Sequence, residues 1–374
     1  MLVSELHRAL NSQPTYLFFT ITSRCNAFCD FCWNWKNVSD AGKLYKTGQP
    51  IKRNELTLDE IQKLTLNLSE MLVVNLFGGE PFVREDIFEI IKCFAVNCKT
   101  KYISIPSNGW FTDRILSVIE QACVEFPNTF FKMYLSLDGP SLEHNKIRKL
   151  KNGYENLIKT LDGLVTIRKK YTNLSISCNI NYNFQTQTYM YSFVQEVMSW
   201  KKFDSISVDL VRGDIFDPQL LNTDVMQYKK IQNLVNNYQL NSNQPFSPLH
   251  KAIEQKTAIV IKKSIENPDK RQFNCFAGKK IILLTDIGDV VACEMMLDKK
   301  MGNIRDFNYS IPALLKNIVA KKIRQDIVDK KCNCRWDCAI NTSNIFDVIN
   351  YPDLILKTIK NYLASSNTNL KKLE

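Results

Sequence analysis

No apolar run in this chain of 374 residues approaches the roughly 18 residues that a membrane-spanning helix needs. The first 15 residues lack the basic start and apolar middle of a signal peptide, and YLFFTIT (16–22) is apolar but short and follows Pro14. These absences predict a cytoplasmic protein with no membrane partner. Histidine is scarce, at three residues. There is no arginine-rich tail, no nucleic-acid motif, no low-complexity segment and no repeat beyond a strand–helix unit, so no nucleic-acid partner is expected. The net charge of +11 fits a lysine-rich solvated surface or attraction for an anionic partner. What the chain does carry is cysteine, twelve of them. In a reducing compartment they do not make a disulfide framework, and their clustering points to metal ligation or redox chemistry.

Apolar strands alternate with amphipathic helices along the first part of the chain. Strands are expected at 16–22, 73–79, 101–107, 131–139, 174–183 and 205–211. Helices are expected at 57–72, 84–96, 113–123, 152–171 and 188–200, the first opened by a capping box of Thr57 and Glu60. Apolar strands between helices predict an α/β fold whose parallel sheet is covered on both faces. Six units imply a partial, TIM-like (β/α)6 barrel. After about residue 215 the alternation stops, and a hairpin is expected around Ile287–Gly288–Asp289. The expected division is a barrel at 1–214, a helical linker region at 215–271, a small domain with a β-hairpin and helices at 272–345, and a C-terminal helix and frayed tail at 346–374.

The first cysteine cluster is RCNAFCDFCW, with Cys25, Cys29 and Cys32 just beyond the first strand. In parallel α/β folds ligands gather at the C-terminal ends of strands, so this loop is a candidate active-site loop. Structural zinc sites fill four positions with protein ligands, and a cubane iron–sulfur cluster has four corners. Three thiols leave one corner open for chemistry. A zinc site completed elsewhere and plain core cysteines are the competing readings.

The C-x3-C-x2-C spacing, with Phe31 before its last cysteine, resembles the signature of the radical S-adenosylmethionine (SAM) superfamily. FGGEP (77–81), SNG (107–109), SLDGP (136–140) and HNKIR (144–148) resemble its further motifs. The resemblance covers residues 16 to about 215. It implies a 4Fe-4S cluster on Cys25, Cys29 and Cys32, with SAM chelating the open iron. Gly78 and Gly79 would let backbone approach the ligand, and Glu80 would lie near the SAM ammonium. Asn108, Ser136, Arg148, Asn181 and Arg212 are candidates for its carboxylate or ribose, and Phe31 for its adenine. His144 is expected to buttress the loop. Cys93, Cys98, Cys123 and Cys178 read as core or incidental.

Cys275, Cys293, Cys332, Cys334 and Cys338, with GNIRD (302–306) between them, resemble the auxiliary-cluster domains of such enzymes, SPASM in the long form and twitch in the short. The long form carries seven cysteines; five imply one auxiliary 4Fe-4S cluster. Cys275, Cys293 and Cys338 are the firmer ligands, Cys334 is favoured over Cys332 as the fourth, and a four-thiolate zinc site is the alternative.

The implied activity is reductive cleavage of SAM to a 5′-deoxyadenosyl radical, which takes a hydrogen atom from a peptide or protein substrate in a maturase-type modification. The alternative is a dehydrogenase or epimerase of a small sugar or alcohol, and a further one a non-enzymatic iron–sulfur protein. An electron donor such as flavodoxin or ferredoxin is implied. The loop's early position leaves no room ahead of it for a leader-binding domain, so a separate leader-peptide-binding protein is an expected partner.

Overall fold

A computed structural model describes residues 13–40, 43–44, 54–238, 247–267, 269–329, 334 and 336–370. Two compact units are present, one within Phe18–Gln239 with Leu284–Gly288, the other within Met1–Leu17, Leu240–Leu283 and Asp289–Glu374.

The first unit alternates as its sequence requires. Its order is β1 (Tyr16–Thr22), α1 (Leu58–Leu66), β2 (Val73–Gly78), α2 (Ile87–Asn97), β3 (Tyr102–Ser107), α3 (Thr112–Glu125), β4 (Phe130–Ser136), α4 (Ser141–Arg148), α5 (Gly153–Lys170), β5 (Leu174–Tyr182), α6 (Gln187–Ser199), β6 (Ser205–Leu210) and α7 (Val225–Tyr238). The strands lie side by side in chain order. The ladders from β2 to β6 are all parallel. The capping box of α1 is formed: the Glu60 N–H donates to Thr57 Oγ1 at 3.3 Å and the Thr57 N–H to Glu60 Oε2 at 2.9 Å. That helix ends at Leu66, earlier than its apolar pattern suggests, because the Asn67 side chain turns back onto the Lys63 carbonyl at 2.9 Å.

The expectation of two covered faces needs revision. Residues of one parity, among them Ile103, Ile105, Met133, Leu135, Ile176, Ile180 and Ile206, are fully buried. Residues of the other parity are mostly polar and half-buried, including Asn75, Lys132, Tyr134, Asn179, Ser207 and Asp209. Successive side chains of a strand point to opposite faces, so the sheet has one apolar and one polar face. A closed barrel fills its interior with bulky branched side chains; this partial barrel does not.

In the second unit, α8 (Ser247–Glu266) precedes β7 (Ile281–Leu284), β8 (Asp289–Val291) and β9 (Lys300–Asn303). Gly288, with φ of +89°, occupies the turn between β7 and β8 where the hairpin was expected. The third strand, β9, pairs antiparallel with β8, and its sequence KMGN lacks the β-branched apolar run that marks the other two. Helices α9 (Ile311–Leu314), α10 (Ile318–Asp329), α11 (Asp337–Phe346) and α12 (Tyr351–Leu370) complete it. α12 continues into the tail expected to fray; residues 371–374 lie outside the described residues. Among the described residues no helix is long and apolar enough to cross a membrane.

Candidate active site

The cysteine loop leaves the end of β1 and is strapped to the end of β2. The Gly79 N–H donates to the Thr22 carbonyl and the Glu80 N–H to the Arg24 carbonyl, both at 2.9 Å. A side chain at either glycine would collide with the loop backbone. A Cβ at Gly78 would stand 2.1 Å from the Thr22 oxygen, and one at Gly79 would stand 2.2 Å from the Arg24 oxygen. Both glycines are therefore required by the approach of β2 to the loop itself. Within the loop the Cys32 N–H closes a turn on the Cys29 carbonyl at 3.2 Å, and the Ala27 N–H points at Cys25 Sγ at 3.4 Å. Cys25, Cys29, Phe31 and Cys32 pack together with Ala27 and Leu150.

Glu80 joins three segments. Its carboxylate accepts from the Phe82 N–H at 3.2 Å, Ser107 Oγ at 2.8 Å and the Asn108 N–H at 2.8 Å. It is 2 % exposed. Burial outweighs these donors and pushes its pKa from 4.5 up to about 7. Asn108 is committed to the scaffold: its amide donates to Asn26 Oδ1 at 2.8 Å and accepts from the Trp110 N–H at 3.0 Å. The sequence reading passed over Asn26, although its place between two cysteines was a signal.

A second buried carboxylate lies within SLDGP. Asp138, 0 % exposed, accepts from Arg148 Nε at 2.7 Å and from the Asn181 N–H at 2.7 Å. Arg148 lies over the Phe31 ring, 5.4 Å from its centroid, and its carbonyl accepts from the Phe28 N–H at 3.0 Å. So the last residue of α4 also holds the loop. His144 is fully buried, and its Nδ1 accepts from the Asp138 N–H at 3.2 Å. Burial and the Arg148 charge push its pKa down to about 4. It buttresses the strand end as a neutral ring. Ser136 is buried at the end of β4, the Asn181 side chain accepts from Asn183 at 2.9 Å, and Arg212 is half-buried just beyond β6. All the strand-end candidates therefore stand at one end of the sheet.

Burial, and then the neighbouring Cys29 thiol, push the Cys25 thiol well above its ordinary value. Burial also pushes up Cys29, where the Arg148 guanidinium opposes it. Such thiols ionise readily only beside added positive charge, which a cluster supplies. Among the described residues no three His, Cys, Asp or Glu side chains converge as a cage for a single ion. The donor set of three thiols in one anchored loop fits a cluster with one open corner.

Residues 19–178 match the family model described as Radical SAM superfamily. A radical SAM domain thus occupies this part of the chain. Curated relatives include the molybdenum cofactor biosynthesis protein 1 of Drosophila melanogaster, 31% identical over 42% of this chain and 26% of its own length. The GTP 3',8-cyclase of Aquifex aeolicus is 30% identical over 48% of this chain and 50% of its own. The chain thus spans half or less of the curated relatives' length. Among solved structures, anSMEcpe with bound AdoMet matches at TM-score 0.56 and 19% identity, over 95% of this chain and 96% of its own. Streptococcus suis SuiB bound to precursor peptide SuiA matches at TM-score 0.53 and 15% identity, over 84% and 69%. At these identities the likeness is one of fold.

The superfamily match ends before the second cysteine group, whose placement comes from the second unit itself. Cys275 precedes β7, Cys293 follows β8, Cys334 precedes α11 and Cys338 sits in the first turn of α11. Phe276, beside Cys275, donates its N–H to Ser343 Oγ on α11 at 3.2 Å and packs on Phe346. A Cβ at Gly278 would meet Ala292, the neighbour of Cys293, at 3.3 Å. The Trp336 N–H points at Cys334 Sγ at 3.3 Å. Segments bearing Cys275, Cys293 and Cys338 therefore meet. Cys332 lies outside the described residues. Cys98, Cys123 and Cys178 are buried core thiols, the first two pushed up by burial to about 12, and Cys93 is half-buried.

Proposed function

We propose that this chain is a radical SAM enzyme that takes a hydrogen atom from a carbon of a peptide or protein substrate. The observation that carries this is the strapping of the GGE segment of β2 onto the three-cysteine loop, which puts thiols and a buried carboxylate in one site at the strand ends. When bound, a 4Fe-4S cluster and SAM supply the reductive C–S cleavage that yields the hydrogen-abstracting radical. Cys25, Cys29 and Cys32 would hold the cluster. Glu80, locked by three donors, would face the ammonium of a bound SAM, whose charge would favour the ionised carboxylate. Asp138 fixes Arg148, and Arg148 in turn fixes Phe31 as an aromatic wall. Ser136, Asn181 and Arg212 remain candidates for the polar groups of SAM, while Asn26 and Asn108 hold the loop in shape.

In the second unit, Cys275, Cys293, Cys334 and Cys338 are the proposed ligands of one auxiliary 4Fe-4S cluster in a SPASM- or twitch-like domain over 272–345. Four thiolates would close it, giving an electron-transfer or structural role. A flavodoxin- or ferredoxin-type donor and a separate leader-binding protein are proposed partners. The fold likeness to SuiB and anSMEcpe supports the peptide reading. The curated cyclase relatives favour a second reading, in which the substrate is a small polar molecule.

The test removes the loop's thiols. With Cys25, Cys29 and Cys32 all changed to alanine, reductant plus SAM should yield no 5′-deoxyadenosine. Iron should fall from roughly eight to roughly four per chain if the second group holds a cubane. Undiminished 5′-deoxyadenosine would sink the radical SAM activity, and loss of all iron would sink the auxiliary cluster alone.

A further inference from the structure

One row of the polar face is left unused by the roles assigned above. Backbone register aligns Asn75 on β2 with Ser104 on β3, Ser104 with Lys132 on β4, and Lys132 with Ser175 on β5. Neighbouring strands lie about 4.8 Å apart, so an amide, a hydroxyl, an ammonium and a second hydroxyl stand abreast across four strands. Asn75 Oδ1 and Ser175 Oγ are buried without a hydrogen-bond partner, and so is Asn179 Oδ1 two rows nearer the strand ends. Buried polar atoms are nearly always paired in folded proteins. Three orphans on one face call for a ligand, or the water it displaces.

Lys132 is half-buried and has no carboxylate within ion-pair distance among the described residues. Its ammonium lies over the Tyr134 ring, 4.8 Å from the centroid. Tyr134 is two residues further along β4, so the lysine stem leans towards the end of the sheet that carries the cysteine loop. The other charge of this parity on β2 to β6 is Asp209, in register with Asn181 near the strand ends. Along the face the charge therefore runs from a cation deep in the sheet to an anion near its rim.

We propose that Lys132, flanked by Ser104 and Ser175, binds an anionic group of the substrate, a carboxylate or a phosphate, and so turns the rest of that substrate towards the cysteine loop. The assignment rests on the reading of this chain as a radical SAM enzyme whose sheet interior holds the substrate. It narrows the substrate to a molecule or side chain that carries an anion. Such charge-assisted hydrogen bonds are the strong and orienting ones.

The test is reductive labelling of the full, reconstituted chain with SAM present. Pyridoxal is fixed with borohydride and mapped by peptide mass spectrometry. Pyridoxal, which brings no anion of its own, should label Lys132, and a bound anion should lower that labelling about tenfold, as one charge-assisted contact with the ammonium allows. Orthophosphate or succinate should protect it: protection by orthophosphate alone assigns a phosphate, and by succinate alone a carboxylate. No labelling of Lys132 by pyridoxal, or no protection by either anion, overturns the proposal. The 5′-deoxyadenosine made by the same preparation is read separately. Its absence would remove the radical reading and leave the Lys132 result to stand or fall on its own.

Discussion

Two buried groups at the strand ends should leave opposite marks on the pH dependence of stability. Glu80 is pushed up from 4.5 to about 7 by burial, so between those values the folded chain holds a proton that the unfolded chain has lost. Stability then falls as pH rises, by about 1.4 kcal/mol per unit and about 3 kcal/mol in all. His144 is pushed down from 6.5 to about 4, so over that interval the unfolded chain holds the extra proton. Its contribution is present above pH 6.5 and is lost as pH falls towards 4, again by about 3 kcal/mol. Neither needs a discount for solvent, since Glu80 is 2 % and His144 0 % exposed. From these two groups the slopes cancel between about pH 4.5 and 6.5 and leave a fall only near neutrality. Glu80→Gln should uncover the rise due to His144. It should also lower stability at pH 5 by about 1–3 kcal/mol, because both oxygens of the protonated carboxyl keep a lone pair for its three donors, whereas an amide sets its NH2 against one of them. His144→Gln should uncover the fall due to Glu80. The assay is urea unfolding of the metal-free, SAM-free chain from pH 4.5 to 8. Parallel curves for wild type and both variants would refute the reasoning.

Two further substitutions test the clamp on the loop. Gly79→Ala forces a methyl to within 2.2 Å of the Arg24 oxygen and 2.6 Å of its carbonyl carbon. It should cost about 1–3 kcal/mol, and reconstitution should show loss of loop-held iron; an unchanged urea midpoint would contradict it. Arg148→Met leaves the Asp138 carboxylate buried without its guanidinium and should cost about 3–5 kcal/mol. Adding Asp138→Asn should recover part of that loss, and a double variant no more stable than the single one would dissolve the pairing.

Much of this site was legible because its signals are local. The alternation of strand and helix, the capping box at Thr57, and the three-cysteine loop each declare themselves within a few residues. What stayed hidden depends on pairings across the chain. Glu80 reads in sequence as a charge for a ligand, yet its oxygens meet Ser107 and Asn108, 27 and 28 residues on. Arg148 reads as a free guanidinium, yet Asp138 and Phe31 already engage it. Gly79 reads as room for a ligand, yet it makes room for the Arg24 backbone. In each case the first thing the residue serves is the shape of the cysteine loop.

The polar face was missed for a different reason, since its signal was present. LSISCNINY sets Ser175, Ser177, Asn179 and Asn181 at every second position, and SISVDL repeats the pattern with Ser205, Ser207 and Asp209. Small polar residues between isoleucines let the stretch pass for a continuous apolar run, which argues for two covered faces. Read with a period of two, the same strands have one face for the helices and one for something polar. A face so built lowers the core area the sheet can bury, and fills less volume than the branched residues of a closed barrel. That arrangement makes sense when the missing volume belongs to a substrate. If the Lys132 proposal holds, the parity of the polar residues, more than the cysteines, is where the sequence bears on the kind of molecule this chain would take.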